Sequence, residues 1–578
     1  MAEGSKPKPA FFIAVLAVVA GLVGLAFFRC SKKDSGGGTD KGSQIDMTDI
    51  KKKAGGSNDS NVESPDGTSI TTTKDYTFEP STRLPEVPGT GDYKKLGTPR
   101  TVRFAVNIWA GWAPIVWANQ GHKPNKLWKD AKGQEFKVEL VLIDNPVAMG
   151  NSFASGDIHI GWATVDMLPL VVERLKKDPR SMPRVFQQVD WSNGGDGIVV
   201  RDNIKNVGEL RGKTVVLAQN SPSHYFLLNV LLNGGVQPTE VEMKFTPDAF
   251  QAAAAFNQNK KYAGVVSWAP DIYNLTKTGS GNKMLVNTLT ANKLIADVWF
   301  ARADFARDNP EIIEGLVRGI FDSIEELKDD TKKQGVGKMM DDFYGLPPGS
   351  GAGMLADAHW TNYAENRDFF LNQNNPTNFE RTYNTAYLLY RAIRAVDQKV
   401  EFDKIMDFSV VKKLGTEPKY AEQKNEYEYK FTPTGGIDVD VESAVLTKTV
   451  TINFFPNSYD VFKKMSKDGK PETYYDPSVE ITIEEIAKLS GQFGAARIHI
   501  SGHTDSSMKG VADESLVRDL STRRANSVKE ALVNRFKMNP NQFVVAGYGW
   551  DKPADKKDPD NHAKNRRVEV KVVPAEAQ

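Results

Sequence analysis

Ile498-His-Ile-Ser-Gly-His-Thr-Asp505, followed by Leu520-Ser-Thr-Arg-Arg-Ala525 and closed by Asn565-Arg-Arg-Val-Glu-Val570, is the run from which the rest of the chain is read. Ile498 and Ile500 alternate with polar neighbours as in a half-buried strand. Gly502 ends the pattern, which leaves Asp505 on the loop beyond it. Leu520, Ala525, Val528 and Leu532 then recur at helical spacing, and the phase predicts Arg524 on the polar side of a helix capped by Asp519 or Ser521. An acid and an arginine there can converge on a small zwitterion, its ammonium at Asp505 and its carboxylate on the planar fork of Arg524. Spacing alone leaves an ordinary Asp–Arg ion pair open.

Taken in order, Gly502-His-Thr-Asp505, the Leu-Ser-Thr-Arg-Arg-Ala run, Gly547-Tyr-Gly-Trp550 and Asn565-Arg-Arg-Val-Glu569 resemble the C-terminal OmpA-like, peptidoglycan-binding domain. Thr451-Ile-Asn-Phe-Phe-Pro-Asn-Ser458 resembles that family's opening strand, so the resemblance covers about 450–573. It implies a β/α sandwich in which Asp505 and Arg524 bind the diaminopimelate of uncrosslinked wall peptide, with Asn565 and Arg566 as secondary candidates. Two features depart from the family's common form. The loop between Asp505 and Leu520 is longer, with Val517 where many members carry Asn, and an insertion at about 463–475 follows the first strand.

At 578 residues the chain is too long for one core. Its 74 basic and 73 acidic residues balance to a net charge of +1, which leaves no polyanion footprint, and nucleic acid is not an expected partner. The single cysteine, Cys30, excludes an internal disulfide framework and a thiolate zinc cluster. No cofactor and no metal site is expected: His499 reads as an exposed strand residue and His503 as a motif residue with a structural role.

Residues 10–28 are an uninterrupted apolar run, just long enough to cross a bilayer core as a helix. Lys6 and Lys8 before it and Arg29, Lys32 and Lys33 after it leave the positive-inside rule nearly balanced. The wall-reading C-terminus therefore sets the expected topology, a single-pass inner-membrane protein with its bulk in the periplasm. Phe27-Phe28-Arg29 ahead of Cys30 offers no small-residue cleavage box, so residues 1–30 are expected to remain as an uncleaved anchor. A single span before such a domain also resembles the MotB-type stator subunits of ion-driven motors. Residues 10–28 contain no acid to carry a proton, so ion conduction by this helix is not expected. Residues 31–99, rich in Gly, Ser, Asp, Lys, Thr and Pro, read as a disordered linker.

Over 100–415 strand and helix alternate: 101–107 then 113–120, 136–143 then 146–155, 158–162 then 166–175, 214–217 then 223–233, 264–267 then 270–277. This period predicts parallel α/β sheets, whose ligands sit beyond the carboxyl ends of strands, where helix starts favour anions. Trp109-Ala-Gly-Trp-Ala-Pro114, Ala163-Thr-Val-Asp166 and Asn220-Ser-Pro-Ser-His-Tyr225 have that address. The serines can hold an anion or simply cap a helix, and Trp109, Trp112 and Trp268 can clamp a ligand or pack in the core.

With Phe153-Ala-Ser-Gly-Asp-Ile-His-Ile-Gly-Trp162, Gly194-Gly-Asp-Gly-Ile-Val-Val200, Val207-Gly-Glu-Leu-Arg-Gly-Lys-Thr-Val215 and Val266-Ser-Trp-Ala-Pro270, these runs resemble the periplasmic solute-binding proteins of the nitrate, sulfonate and taurine ABC-importer group over about 100–330. The resemblance implies two α/β lobes closing on a small anionic solute, with Trp109, Thr164, Ser221, Ser223, His224 and Trp268 lining the cleft. The superfamily also contains thiamine-pyrimidine synthases with an iron-binding cysteine cluster. No cysteine lies in this domain, and no catalytic residue is assigned. Helices expected at 312–328, 354–372 and 377–396 would complete the second lobe, with Tyr383, Tyr387 and Tyr390 as packing residues. Residues 416–445 read as a connector to the domain at 446–574.

The expected architecture is thus a two-lobed α/β periplasmic-binding-protein-like domain, an α+β OmpA-like domain and one N-terminal transmembrane helix. The expected function is an envelope protein that binds peptidoglycan and a small anionic solute, for transport or sensing beside an ABC permease. The alternative is a structural adaptor without solute binding that tethers a motor-like or energy-transducing membrane complex to the wall.

Overall fold

The computed structural model describes residues 76–433, 443–466, 471–554 and 556–575. The expected anchor over 1–30, the first part of the linker and part of the connector lie outside the described residues. Among the described residues no helix is long and apolar enough to cross a membrane.

Strands β1 (Thr101–Val106), β2 (Trp128–Lys129), β3 (Glu135–Leu142), β4 (Ile160–Thr164) and β5 (Pro183–Ser192) begin a first lobe. The chain then crosses to β6 (Asp196–Arg201), β7 (Thr214–Ala218), β8 (Glu242–Thr246), β9 (Gly264–Trp268) and β10 (Asn282–Asn287), and returns through β11 (Ala296–Arg302) and β12 (Ala358–Trp360). The first sheet has the order β12-β5-β11-β4-β1-β3-β2 and the second β10-β6-β9-β7-β8. Within these two sheets the strand pairs β3-β1-β4 and β8-β7-β9 are parallel as expected, and the remaining strands make the sheets mixed. The reason is the crossing: β5 and β11, which lead out of and back into the first lobe, run antiparallel to their neighbours, as does β6 on arrival.

Local signals set the helix starts. Asn145 caps the helix Pro146–Ser155 by accepting from the N–H groups of Val147 and Ala148. Gly156 ends it at φ +86°, and a Cβ there would stand 2.1 Å from the carbonyl oxygen of Asp92, so only glycine fits.

The C-terminal helices of this domain depart from expectation. Helices Pro310–Glu326 and Asp330–Tyr344 pack on the first lobe, where Ile312, Leu316 and Ile320 share a core with Trp128 and Phe136. The helix expected at 354–372 is two, Ser350–Met354 and Tyr363–Leu371, separated by the edge strand β12. Tyr383, Tyr387 and Tyr390 of the helix Phe379–Ala392 are buried, their hydroxyls donating to the carbonyl oxygens of Val400, Asp397 and Ser221.

Residues 76–99, expected as the end of a disordered linker, instead run extended across both lobes. The Tyr76 hydroxyl donates to the Leu232 carbonyl at 2.9 Å, and Ser81 N–H to that of Ile393 at 2.7 Å. Farther along, Arg174 Nε donates to the Pro85 carbonyl at 2.7 Å and Lys94 N–H to that of Gly156 at 2.8 Å. Average composition hides the cause: Phe78 and Leu84 pack on one core, and Val87, Tyr93 and Leu96 on the other.

The C-terminal domain contains β13 (Leu446–Val450), β14 (Lys464–Met465), β15 (Thr473–Tyr474), β16 (Ala496–His503), β17 (Phe543–Gly547) and β18 (Arg567–Pro574). Its main sheet has the order β13-β18-β16-β17, joined by helices Val479–Gln492 and Glu514–Phe536. The opening strand is β13, whereas 451–458, expected as that strand, forms a loop. The expected insertion contributes the β14-β15 hairpin. The domain docks on the second lobe: Asn233 Nδ2 donates to Gln492 Oε1 at 3.3 Å, Val207 N–H to the Val445 carbonyl at 3.0 Å, and Arg381 pairs with Glu484 at 3.3 Å.

Candidate functional site

Gly502 and Gly547 stand at the ends of the parallel pair β16 and β17. A Cβ on Gly502 would lie 2.0 Å from the Ser521 carbonyl oxygen, and one on Gly547 2.2 Å from the Thr522 hydroxyl. Bare backbone at both positions lets the helix Glu514–Phe536 drop onto the strand ends. Asp513 caps that helix by accepting from Ser515 N–H, one to two turns before the Asp519 or Ser521 start that sequence spacing suggests. Arg524 consequently faces the fold rather than solvent. It is 4% exposed, its Nε donates to the Ser458 carbonyl at 3.0 Å, and its guanidinium lies 4.7 Å from the Phe454 ring centroid.

Asp505, on the loop beyond β16, accepts from Ser507 N–H at 2.7 Å and pairs with Arg566 Nε at 2.9 Å. His562 Nδ1 lies 3.4 Å from the same carboxylate. Asp505 and Arg524 thus sit at one end of the sheet without bonding to each other. Asn565 has a bracing part: its Oδ1 accepts from Ala554 N–H at 2.7 Å and its Nδ2 donates to the Pro559 carbonyl at 2.7 Å. His499, expected to be exposed, is buried, because β16 is covered on both faces. Burial lowers His499 and His503 to about 4, so both rings are neutral at pH 7.

A second candidate site is a cavity of about 360 Å³ between the two lobes. Sheet register builds its floor. Asp297 of β11 stands opposite Thr164 of β4 on one side and Asp190 of β5 on the other, one polar row across three strands. Asp196, opening β6, stands opposite Trp268 of β9. Trp109 donates its indole N–H to Asp190 Oδ2 at 3.0 Å, an approach that Gly111 permits, since a Cβ there would stand 1.5 Å from that oxygen.

Burial raises the carboxyls of Asp166 and Asp190 to about 7 and that of Asp196 to about 6. Asp297 goes well above the ordinary carboxyl value, because the charge of Asp190 adds to the same desolvation.

Of the residues expected to line this cleft, Trp109, Thr164, Ser221 and Trp268 do so. The Ser221 hydroxyl, however, donates to the Ala218 carbonyl at 2.8 Å. Ser223 and His224 lie off the cavity, because each helical residue turns about 100° from the last and the helix begins at Pro222. Ser223 is buried, and His224 meets the Phe245 ring at 5.1 Å. The expected anion finds no cationic partner among the described residues: Asp144, Asp196, Asp248 and Asp297 line the cavity, and none of the described Lys, Arg or His residues does. Among the described residues no three of His, Cys, Asp and Glu are grouped to hold a metal ion. Asp297 was signalled in the sequence only as an acid interrupting the apolar run of 294–301, and Asp190 only as an acid in the mixed run Val185-Phe-Gln-Gln-Val-Asp-Trp191.

Residues 470–567 match the model of the OmpA family. The C-terminal module is an OmpA domain. Outer membrane protein Omp38 of Acinetobacter baumannii is 38% identical to it over 112 residues, which are 19% of this chain and 28% of the relative. The region ahead of the OmpA domain is similar to the taurine-binding periplasmic protein of Escherichia coli, 29% identical over 197 residues, or 33% of this chain. The match spans 58% of that relative's length. Among solved structures, the periplasmic aliphatic sulphonate binding protein SsuA from Escherichia coli is 18% identical, with 59% of this chain and 98% of that one covered at a TM-score of 0.43. Its OmpA domain and its two-lobed domain thus resemble different kinds of relative, and the chain joins them.

Proposed function

We propose that this chain is a cell-envelope protein that grips peptidoglycan through Asp505 and Arg524 of its OmpA domain and holds a small solute between the lobes of its middle domain, for import or sensing. Residues 10–28 anchor it in the inner membrane with the bulk of the chain in the periplasm, beside a membrane partner such as an ABC permease. The observation that carries this reading is the joining, in one docked chain, of an OmpA domain and a two-lobed domain with a polar-floored cleft. Relatives named as outer membrane and periplasmic taurine-binding proteins support the envelope location.

Sedimentation with purified peptidoglycan tests the first half. Asp505→Ala and Arg524→Ala are each expected to leave the protein in the supernatant, and unchanged pull-down by both variants defeats the assignment. A periplasm-active reporter fused to the C-terminus tests the topology, and activity only in the cytosol reverses it.

The adaptor without solute is a second reading, favoured by one observation. Residues 76–99 bond to both lobes, and Asn220 beside the cleft holds the Thr82 carbonyl at 2.5 Å and the Ser81 hydroxyl at 2.7 Å, contacts that restrain opening and closing.

A further inference from the structure

The sign of the charge in the cleft deepens the solute-binding reading, on which this inference rests. We propose that the cleft takes a small organic cation, an alkylammonium whose ammonium group sits between Asp297 and Asp196 and whose apolar body lies against Trp109, Trp162 and Trp268.

Three independent features carry the assignment. The four ionisable side chains that line the cavity are all carboxylates, two at the mouth and two on the floor. Those at the mouth already serve the fold, Asp144 accepting from Ile108 N–H at 3.0 Å and Asp248 from Gln251 N–H at 2.8 Å and Gln251 Nε2 at 2.8 Å. On the floor, Asp196 accepts one hydroxyl, that of Ser192 at 2.7 Å, while Asp297 faces Asp190. Asp190 and Asp297 share a hydrogen bond, and a bound cation would offset the cost of holding the remaining carboxylate charge of the floor away from water.

The second feature is Thr164. It lines the cavity at 5% exposure, stands beside Asp297, and its hydroxyl lies within reach of the Asp166 carboxyl but accepts no hydrogen bond. Buried hydroxyls are ordinarily satisfied, and an ammonium N–H donated by a ligand would satisfy this one. Tryptophan faces add a surface that attracts cations and covers alkyl carbons.

The third feature is the helix start on which an anion would depend. Pro222 has no N–H, the Ser221 hydroxyl is bonded to Ala218, and His224 N–H donates to the Ser221 carbonyl at 3.0 Å. Little of the anion-holding apparatus of a helix N-terminus is left to face the cavity.

The decisive experiment is titration calorimetry of the full chain with four probes used singly: n-butylammonium, ethanesulfonate, taurine and Mg²⁺. Saturable heat from butylammonium and none from ethanesulfonate is the expected result. Asp297→Asn is expected to weaken butylammonium at least tenfold and Thr164→Val about threefold, with peptidoglycan pull-down unchanged as a check on folding. Should Asp297→Asn fail to fold, Asp196→Asn is the second variant, with the same expectation.

Heat from ethanesulfonate, or from taurine without butylammonium, overturns the cation while leaving a solute-binding protein. Heat from Mg²⁺ alone overturns its organic nature. No heat from any probe overturns both this inference and the reading beneath it.

Discussion

Asp505 pairs with Arg566 at 2.9 Å, so the carboxylate expected to receive a ligand's ammonium group already faces a guanidinium from the domain's closing motif. The Arg566 side chain is 20% exposed and that of Asp505 is 5% exposed, so Arg566 is the more accessible partner. A ligand ammonium must therefore compete with Arg566. Arg566→Gln is expected to tighten binding of a diaminopimelate-containing muropeptide about two- to fivefold, the effect of removing a partly exposed ion pair. Asp505→Asn removes the negative charge that an ammonium group needs and loses binding. Fluorescence titration of labelled muropeptide decides, and weaker binding by Arg566→Gln would make that residue a ligand contact instead.

Gly502→Ala tests the close approach of strand end and helix. The added methyl would stand 2.0 Å from the Ser521 carbonyl, which is backbone and cannot swing aside. The helix must lift, and overpacking of this kind costs about 1–3 kcal/mol. Arg524 would move with it, so muropeptide affinity should fall even where the fold survives. Melting followed by circular dichroism, together with pull-down, measures both effects. An unshifted melting temperature would show that the contact relaxes freely.

The middle domain carries a pH dependence whose sign follows from its acids. Asp166, Asp190 and Asp196 titrate at about 7, 7 and 6 in the fold, against about 4 when unfolded, and Asp297 is likewise raised well above its ordinary value. The folded state binds the extra protons, so their contribution is fully present below about pH 4 and is lost as pH rises through 6–7. Asp357 near Asp196 adds to the same penalty. His499 and His503, lowered to about 4, act oppositely, their contribution being full above about pH 6.5 and lost on acidification. Wild-type melting temperature should therefore fall between pH 6 and 8, and Asp297→Asn should flatten that limb while leaving the acid limb alone. Scanning calorimetry across pH 4.5–8 checks it, and parallel curves for the two proteins would refute the coupling.

What the sequence disclosed, and what it withheld, follows from where the information lies. Helix boundaries such as Pro146–Ser155 were readable because Asn145, Pro146 and Gly156 each act on their own few neighbours. Asp505 and Arg524 were singled out by ordered motifs, yet the burial of Arg524 was not legible, because it depends on Gly502 and Gly547, which meet the helix only in three dimensions. The acid row Asp190–Asp297 was invisible for the same reason, since its members lie far apart in sequence and antiparallel register alone brings them together. Residues 76–99 misled in another way. Few of them are apolar, but Leu84, Tyr93 and Leu96 are spaced to reach preformed cores.

Docking of the OmpA domain on the second lobe gives a prediction about cooperativity. Side chains from β7, β13, β16 and the helices Pro222–Asn233 and Val479–Gln492 belong to one buried cluster, so neither part can unfold without exposing the other's apolar surface. Polar contacts fix the register: Gln492 accepts from Asn233 Nδ2 through its side chain and from Lys293 N–H at 3.1 Å through its carbonyl. Gln492→Ala keeps the backbone bond and removes a buried side-chain acceptor, at a cost of about 1–2 kcal/mol. Calorimetry of the wild type should show the second lobe and OmpA domain melting in one transition, which Gln492→Ala lowers as a unit. Two independent transitions, with only one shifted by Gln492→Ala, would mean that the shared core does not couple them and that the OmpA domain moves freely of the cleft.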